Sequence, residues 1–349
     1  MAQIVLADDG IEFDGKSAEK GPLGGVESSV INLVRALASR GHKVSVRNMC
    51  RKAKVIDGID WAPLLLGGKY NMPEVADLYI ANRGDKLIGL MPQAKRKIFW
   101  THNPAGYVLK WRYLFKLWRV KPMVMFIGDY HATTYPNWAP GGERVVIPYG
   151  IADEFCQYKT RKDLPPRRAI FTSNPLRSLD WLLELWAKDI YPHVLDAELH
   201  LFSGSATYGS VGTEKSSEME SILDKARSLE NKGVVLRGPV PKHVLIQELL
   251  EARVMLYRGD LNETFCLAVG EAQALGVPAV VQKLGSVVER VIDGKTGAIT
   301  DTDEEFARSA VELLNNDKLW WEQHKTAIEK QKSWRWQNVA LAFEKLIIE

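Results

Sequence analysis

Short apolar runs alternate along this chain with stretches in which apolar side chains recur every three to four positions. Residues 3–7 (QIVLA) read as a buried strand closed by Asp8, Asp9 and Gly10. A polar, glycine-rich stretch then reaches Gly25. Residues 26–39 place Val30, Leu33, Val34 and Leu37 at helical spacing, and Arg40-Gly41 ends the element. Residues 43–47 restart as a strand, which completes a βαβ unit. The alternation predicts further strands at 77–81, 97–101, 123–127 and 145–148, with a helix near 129–134. KTRKDLPPRR at 159–168 breaks the texture as a basic linker. Strands at 169–172, 198–203, 234–236, 254–257 and 278–282 then alternate with helices at 179–187, 217–229, 241–252, 264–275 and 302–315. Helices at 320–330 and 333–348 close the chain, and SEME at 217–220 and TDEE at 302–305 are capping boxes.

The expected fold class is α/β, with two similar Rossmann-like, doubly wound halves. Residues 1–155 form the first domain, 156–168 the linker and 169–332 the second domain; 333–349 is a helix, containing Trp334 and Trp336, that packs back on the first. Ligands of such sheets sit at the carboxyl ends of the strands, and facing domains put a central cleft between them. The loops of interest are therefore 8–25, 102–105, 173–178, 204–210, 238–241, 258–263 and 284–286.

A length of 349 residues agrees with two domains. The net charge of +3 is too balanced to point to a nucleic-acid binder. Three scattered cysteines form neither a disulfide framework nor a zinc site, and suit a reducing, cytoplasmic setting. No signal peptide or membrane span is expected, since every apolar run is far shorter than the roughly 20 residues a span needs.

The most informative segment is RGDLNETFCLAVGE at 258–271, which runs from strand to loop to helix. Main-chain N–H groups of Thr264, Phe265 and Cys266 are expected as first-turn donors that suit a diphosphate. Glu263 and Glu271 are eight residues apart, which on a helix puts them within roughly 80° of each other. Glu271 lies among apolar neighbours, and a buried carboxylate there needs donors such as ribose hydroxyls. An isolated pair of glutamates would mean nothing more than a capped helix and a solvated face. The pairs Asp8-Asp9 and Asp301/Asp303 have no third ligand at metal-binding spacing, so no metal site is expected.

In VLKWRYLFKLWRVK at 108–121, Trp111, Leu114, Phe115 and Trp118 share one helical face, and Arg112, Lys116 and Arg119 another. Two readings stay open. The aromatics pack onto the sheet, or the helix makes peripheral contact with an anionic membrane.

NETFCLAVGEAQALGVPAVV at 262–281 resembles the Glu–seven residues–Glu motif of the retaining, family four (group 1) glycosyltransferases, which have the GT-B architecture. The resemblance extends to GGVE at 24–27, LASRGHKV at 37–44, VIPYGIAD at 146–153 and GSVVERVIDGKTG at 285–297, in the same order and over nearly the whole chain. It implies that Glu271 holds the nucleotide ribose and that Glu263 lies beside the donor sugar. The amides of Phe265 and Cys266 hold the distal phosphate, and Gly25, with Gly24, allows close backbone approach to it. His102 falls near the transferred sugar, Arg177 pairs with phosphate, and Arg237-Gly238 borders the base. The second basic residue that many members carry in the Arg177 loop is missing; Arg258 is the candidate to replace it.

The implied reaction moves a sugar from a UDP- or GDP-sugar to a hydroxyl of a glycan, lipid-linked or small-molecule acceptor. It retains anomeric configuration by a front-face route and needs neither metal nor cofactor. The alternatives are a nucleotide-sugar epimerase or hydrolase of the same fold, and a non-catalytic scaffold. An NAD-binding oxidoreductase ranks low, because GPLGG at 21–25 lacks the dinucleotide spacing.

Overall fold

The computed structural model describes residues 1–21, 23–204 and 216–348; the loop at 204–210 therefore lies, beyond Gly204, outside the described residues. The chain divides into two compact units, Met1–Gly150 with Trp336–Glu349, and Ile151–Arg335. The boundary thus falls ahead of the expected linker, and residues 156–168 belong to the second unit. The chain returns to the first unit at Trp336.

The first unit is built on β1 (Gln3–Asp8), β2 (Lys43–Asn48), β3 (Lys54–Ile56), β4 (Ile59–Pro63), β5 (Leu65–Leu66), β6 (Lys69–Tyr70), β7 (Leu78–Asn82), β8 (Arg96–Trp100), β9 (Met123–Phe126) and β10 (Arg144–Val146). Eight of these form one sheet in the order β10-β9-β8-β7-β1-β2-β4-β3, with β5 and β6 pairing separately. All neighbours in it run parallel except β3 with β4. Strands β3 to β6 were not foreseen: KVIDGIDWAP at 54–63 turns through Asp57-Gly58, both at positive φ, in a tight hairpin of short strands. The order reverses between β1 and β7, the switch point at which doubly wound sheets open a crevice.

The second unit carries β11 (Arg168–Phe171), β12 (Glu198–Leu201), β13 (Val234–Leu236), β14 (Val254–Tyr257), β15 (Ala279–Gln282) and β16 (Gly297–Thr300). They form an all-parallel sheet ordered β13-β12-β11-β14-β15-β16, whose switch point lies between β11 and β14. Strands buried on both faces explain their continuous apolar runs, VMLY in β14 and AVVQ in β15.

The C-terminal helix Trp336–Ile348 packs on Gly25–Ser39 of its own unit. Its Glu344 takes a paired hydrogen bond from Arg40 at 2.7 and 2.8 Å and faces His42 at 2.7 Å. Trp334, expected in this helix, lies ahead of it in the second unit.

Helix Trp111–Val120 turns these aromatics away from the sheet. Tyr113 and Leu117 are the side chains it buries, while Trp111, Phe115 and Trp118 point outward, 76%, 45% and 59% exposed. Among the described residues no helix is long and apolar enough to cross a membrane.

Candidate active site

The switch point of the second sheet gathers two loops, one after β11 and one after β14. The β14 loop begins at Arg258 and is shaped by Gly259 at φ 101°, where a Cβ would stand 2.5 Å from the Leu284 carbonyl oxygen. Gly285, at φ 67°, faces it in turn, and a Cβ there would lie 2.1 Å from the Asp260 carbonyl oxygen. No side chain fits at either position, so 259–263 and 284–286 lie backbone to backbone. Within the loop Asp260 accepts from the Asn262 N–H at 2.6 Å, and the Ser286 N–H donates to the Glu263 carbonyl at 3.3 Å.

Here the helix starts later than the spacing predicts. It spans Leu267–Ala274, and Cys266 ahead of it sits in the left-handed region at φ 65°. The reason is Phe265. Its ring is buried under the Arg290 guanidinium at 4.1 Å and beside Trp334 at 5.9 Å, which pulls 264–266 out of helical register. Arg290 also stacks on Trp334 at 3.9 Å. Thr264, Phe265 and Cys266 are therefore residues of the turn, the first-turn amides belong to 267–269, and the 80° helical relation of Glu263 to Glu271 does not hold.

Glu263 is largely buried in this turn, its side chain 14% exposed. It accepts from the Tyr257 hydroxyl and the Cys266 thiol, and faces Arg177 Nη1 at 3.6 Å. Burial raises its pKa, against the lowering pull of Arg177. Burial likewise raises the Cys266 thiol well above its usual range, so it stays neutral. Arg177 comes from the loop after β11 and also lies 3.9 Å from Asp260. Its Nη1 is buried and makes no hydrogen bond among the described residues, as does the Ser286 hydroxyl. Ser178 ties the two loops together by donating to the Gly259 carbonyl at 3.3 Å.

Arg258, expected near phosphate, opens the loop after β14. Its Nε donates to Gln282 at 2.8 Å, and its guanidinium lies 4.7 Å over the Trp181 ring. Glu271 is buried in the helix, and both its oxygens accept from Lys242 Nζ at 2.6 Å. Lys242 follows the turn of Arg237 and Gly238, and Gly238 is at φ 69° with open space beside it. Arg237 itself pairs with Glu248 at 2.8 Å. Lys242 was not singled out from the sequence, because nothing local marks a lysine 29 residues away as the partner of a glutamate.

The switch point of the first sheet holds a second polar cluster. Asp8 and Asn82 are register partners on β1 and β7, and the Asn82 amide donates to the Asp8 carboxylate. That leaves the Asn82 oxygen for His102 Nε2, which must carry the proton, so Nδ1 accepts from the Tyr149 hydroxyl. Arg83 donates to Glu27 at 2.7 Å and to Asp8 at 3.3 Å. Glu27 in turn folds back over Gly24, where a Cβ would stand 2.3 Å from Oε2. Gly25 opens the helix behind it and is exposed.

Burial lowers the His102 pKa well below the ordinary value and that of His131 to about 4. His131 accepts from the Ile127 N–H at 3.2 Å and donates to the Asn103 carbonyl at 2.8 Å. An unfolded chain protonates histidine near pH 6.5, so these two sites contribute full stability above it and lose it as pH falls. Urea unfolding at about pH 5.5 should show a stability roughly 2–3 kcal/mol below that at about pH 7.5 from this pair. An unchanged midpoint would mean that the two rings are protonated in the fold.

Among the described residues no group of three or more His, Cys, Asp or Glu is placed to hold a metal ion.

Residues 168–316 match the family model described as Glycosyl transferases group 1. The chain is 34% identical over 134 residues to a D-inositol 3-phosphate glycosyltransferase of Corynebacterium diphtheriae, covering 37% of this chain and 30% of that protein. It is 28% identical over 127 residues to a probable sucrose-phosphate synthase of Thermosipho melanesiensis, covering 36% and 29%. The chain thus spans under a third of the length of these curated relatives. Among solved structures, sucrose-phosphate synthase of Thermosynechococcus elongatus superposes with a TM-score of 0.74 at 17% identity, over 99% of this chain and 98% of that one. Anabaena HepE, crystallised with UDP-glucose, gives 0.73 at 15% identity over the full length of both. The fold is GT-B, with two Rossmann-like units.

Proposed function

We propose that this chain is a retaining glycosyltransferase. It takes a UDP- or GDP-sugar and passes the sugar to a hydroxyl of a glycan, lipid-linked or small-molecule acceptor. The observation that carries the reading is Arg177: a half-buried guanidinium at the switch point of the second sheet whose buried Nη1 makes no hydrogen bond among the described residues. Oxygens of a diphosphate would complete it, together with the turn 264–266 and the first amides of Leu267–Ala274. Glu271 would accept from the ribose diol once Lys242 yields its oxygens, and the turn at Arg237-Gly238 would border the base. Gly24 and Gly25 would leave room for the phosphate on the first unit.

In this reading the bond from the anomeric carbon to the diphosphate breaks through an oxocarbenium-like state. The acceptor oxygen bonds to that carbon from the same face, and its proton passes to a phosphate oxygen of the departing nucleotide. Arg177 and the amides stabilise the growing charge on the distal phosphate, so the step calls for no metal. Glu263 would lie beside the donor sugar. His102, neutral and with both ring nitrogens engaged, would serve as a fixed polar wall near the transferred sugar rather than as a proton carrier. Three thiols outside any disulfide, Cys50, Cys156 and Cys266, suit the cytoplasmic setting of this chemistry.

A thermal-shift screen of UDP-, GDP- and ADP-sugars with a chelator present tests it. One nucleotide class should raise the melting temperature, since a ligand at about 100 times its Kd stabilises by about 2.7 kcal/mol. Silence from all of them would favour the non-catalytic scaffold.

A further inference from the structure

Helix Trp111–Val120 has two apolar stripes on opposite sides. Tyr113 and Leu117 face the core, whereas Trp111, Phe115 and Trp118 form an outward row with neighbouring rings 6.0 and 6.2 Å apart. The outward row leaves most of its tryptophan surface in solvent, and large exposed aromatics in a row mark a contact surface.

Charge says which kind. Between Asp85 and Asp129 the sequence holds nine Lys or Arg and no Asp or Glu. At 100° per residue, Arg112 and Arg119 border the aromatic row on one side, and Lys110 and Lys121 flank the helix on the other. Asp85 takes up Lys116 at 2.7 Å and approaches Arg112 at 3.6 Å. Lys110, Arg119 and Lys121 are exposed and have no carboxylate partner among the described residues. Tryptophan rings on a row edged by cations match a bilayer surface, where the rings enter at headgroup depth and the cations meet lipid phosphates.

We propose that the outward face of helix Trp111–Val120 docks this chain on an anionic lipid bilayer. The docking stands apart from the proposed transfer reaction and is read by binding alone. The full chain is sedimented with phosphatidylcholine vesicles with and without phosphatidylglycerol. It should pellet with the anionic vesicles and not the neutral ones, and release as salt rises from about 0.01 M to about 1 M, where the screening length falls from about 30 Å to about 3 Å. Trp111→Ala with Trp118→Ala should weaken vesicle binding at least tenfold with no change in melting temperature, because both rings are exposed. Arg112→Gln with Arg119→Gln should weaken it about tenfold and flatten the salt dependence. The proposal is overturned by absence of binding, by equal binding to neutral vesicles, or by variants that bind like the parent. A dimer in sedimentation velocity that the tryptophan variant abolishes, without vesicle binding, would instead assign the face to a second copy of the chain.

Discussion

Glu271→Gln should lower the affinity for the cognate nucleoside diphosphate by about 10- to 100-fold in calorimetry. The carboxylate is buried in helix Leu267–Ala274, and its two oxygens both accept from Lys242 at 2.6 Å. A ribose diol needs the same two acceptors. Glutamine keeps the shape but turns one oxygen into an N–H donor, so one sugar hydroxyl meets a donor where it needs an acceptor. An unpaired buried partner costs about 1–3 kcal/mol, which is the stated range in affinity. Lys242 is the less buried of the pair and returns its charge to water, so the fold should tolerate the change. Unchanged affinity would remove Glu271 from the binding site.

Arg177→Met should have the larger effect on turnover, a loss of about 100- to 1000-fold in sugar transfer, the range seen when one preorganised donor to a developing anion is removed. The guanidinium stands 3.6 Å from Glu263 and 3.9 Å from Asp260, so it holds the acidic turn together, and in the proposed function it also offers Nη1 to a phosphate. Methionine fills similar volume but leaves Glu263 buried beside Tyr257 and Cys266 with no cation, and its pKa should rise further from its already raised value. Stability should therefore fall too, by about 1–3 kcal/mol. Arg177→Lys separates the two roles: it restores the charge beside Glu263, hence the melting temperature, without the planar fork that grips two phosphate oxygens. Full transfer activity in either variant would refute the assignment of Arg177 to the phosphate.

The chain's own pattern was enough for the alternation of strands and helices in both units, and β13 and β14 fall where the apolar runs end. Period and turn chemistry are local, so they are visible in a single strand of text. The resemblance at 262–281 likewise pointed to the loop that lies at the switch point of the second sheet. The late start of helix Leu267–Ala274 was not visible, because its cause is the Phe265 ring packed against Arg290 and Trp334, 25 and 69 residues away in sequence. The outward aromatics of Trp111–Val120 were undecided for a related reason. Either face of an amphipathic helix can meet the sheet, and only the packing of Tyr113 and Leu117 selects one.

The sequence by itself determined the fold class, most of the segments that cross each sheet (β3, β4 and β16 excepted) and the loops that form the candidate site, since these follow from spacing and from residue type. Only the tertiary structure decided which side chains meet. Asp8 reaches Asn82 because β1 pairs with β7, Arg177 reaches Glu263 because β11 pairs with β14, and Lys242 at the start of one helix reaches Glu271 in the middle of another. Strand order is set by burial summed over the whole sheet rather than by neighbours along the chain, so partners brought together by it leave no local mark.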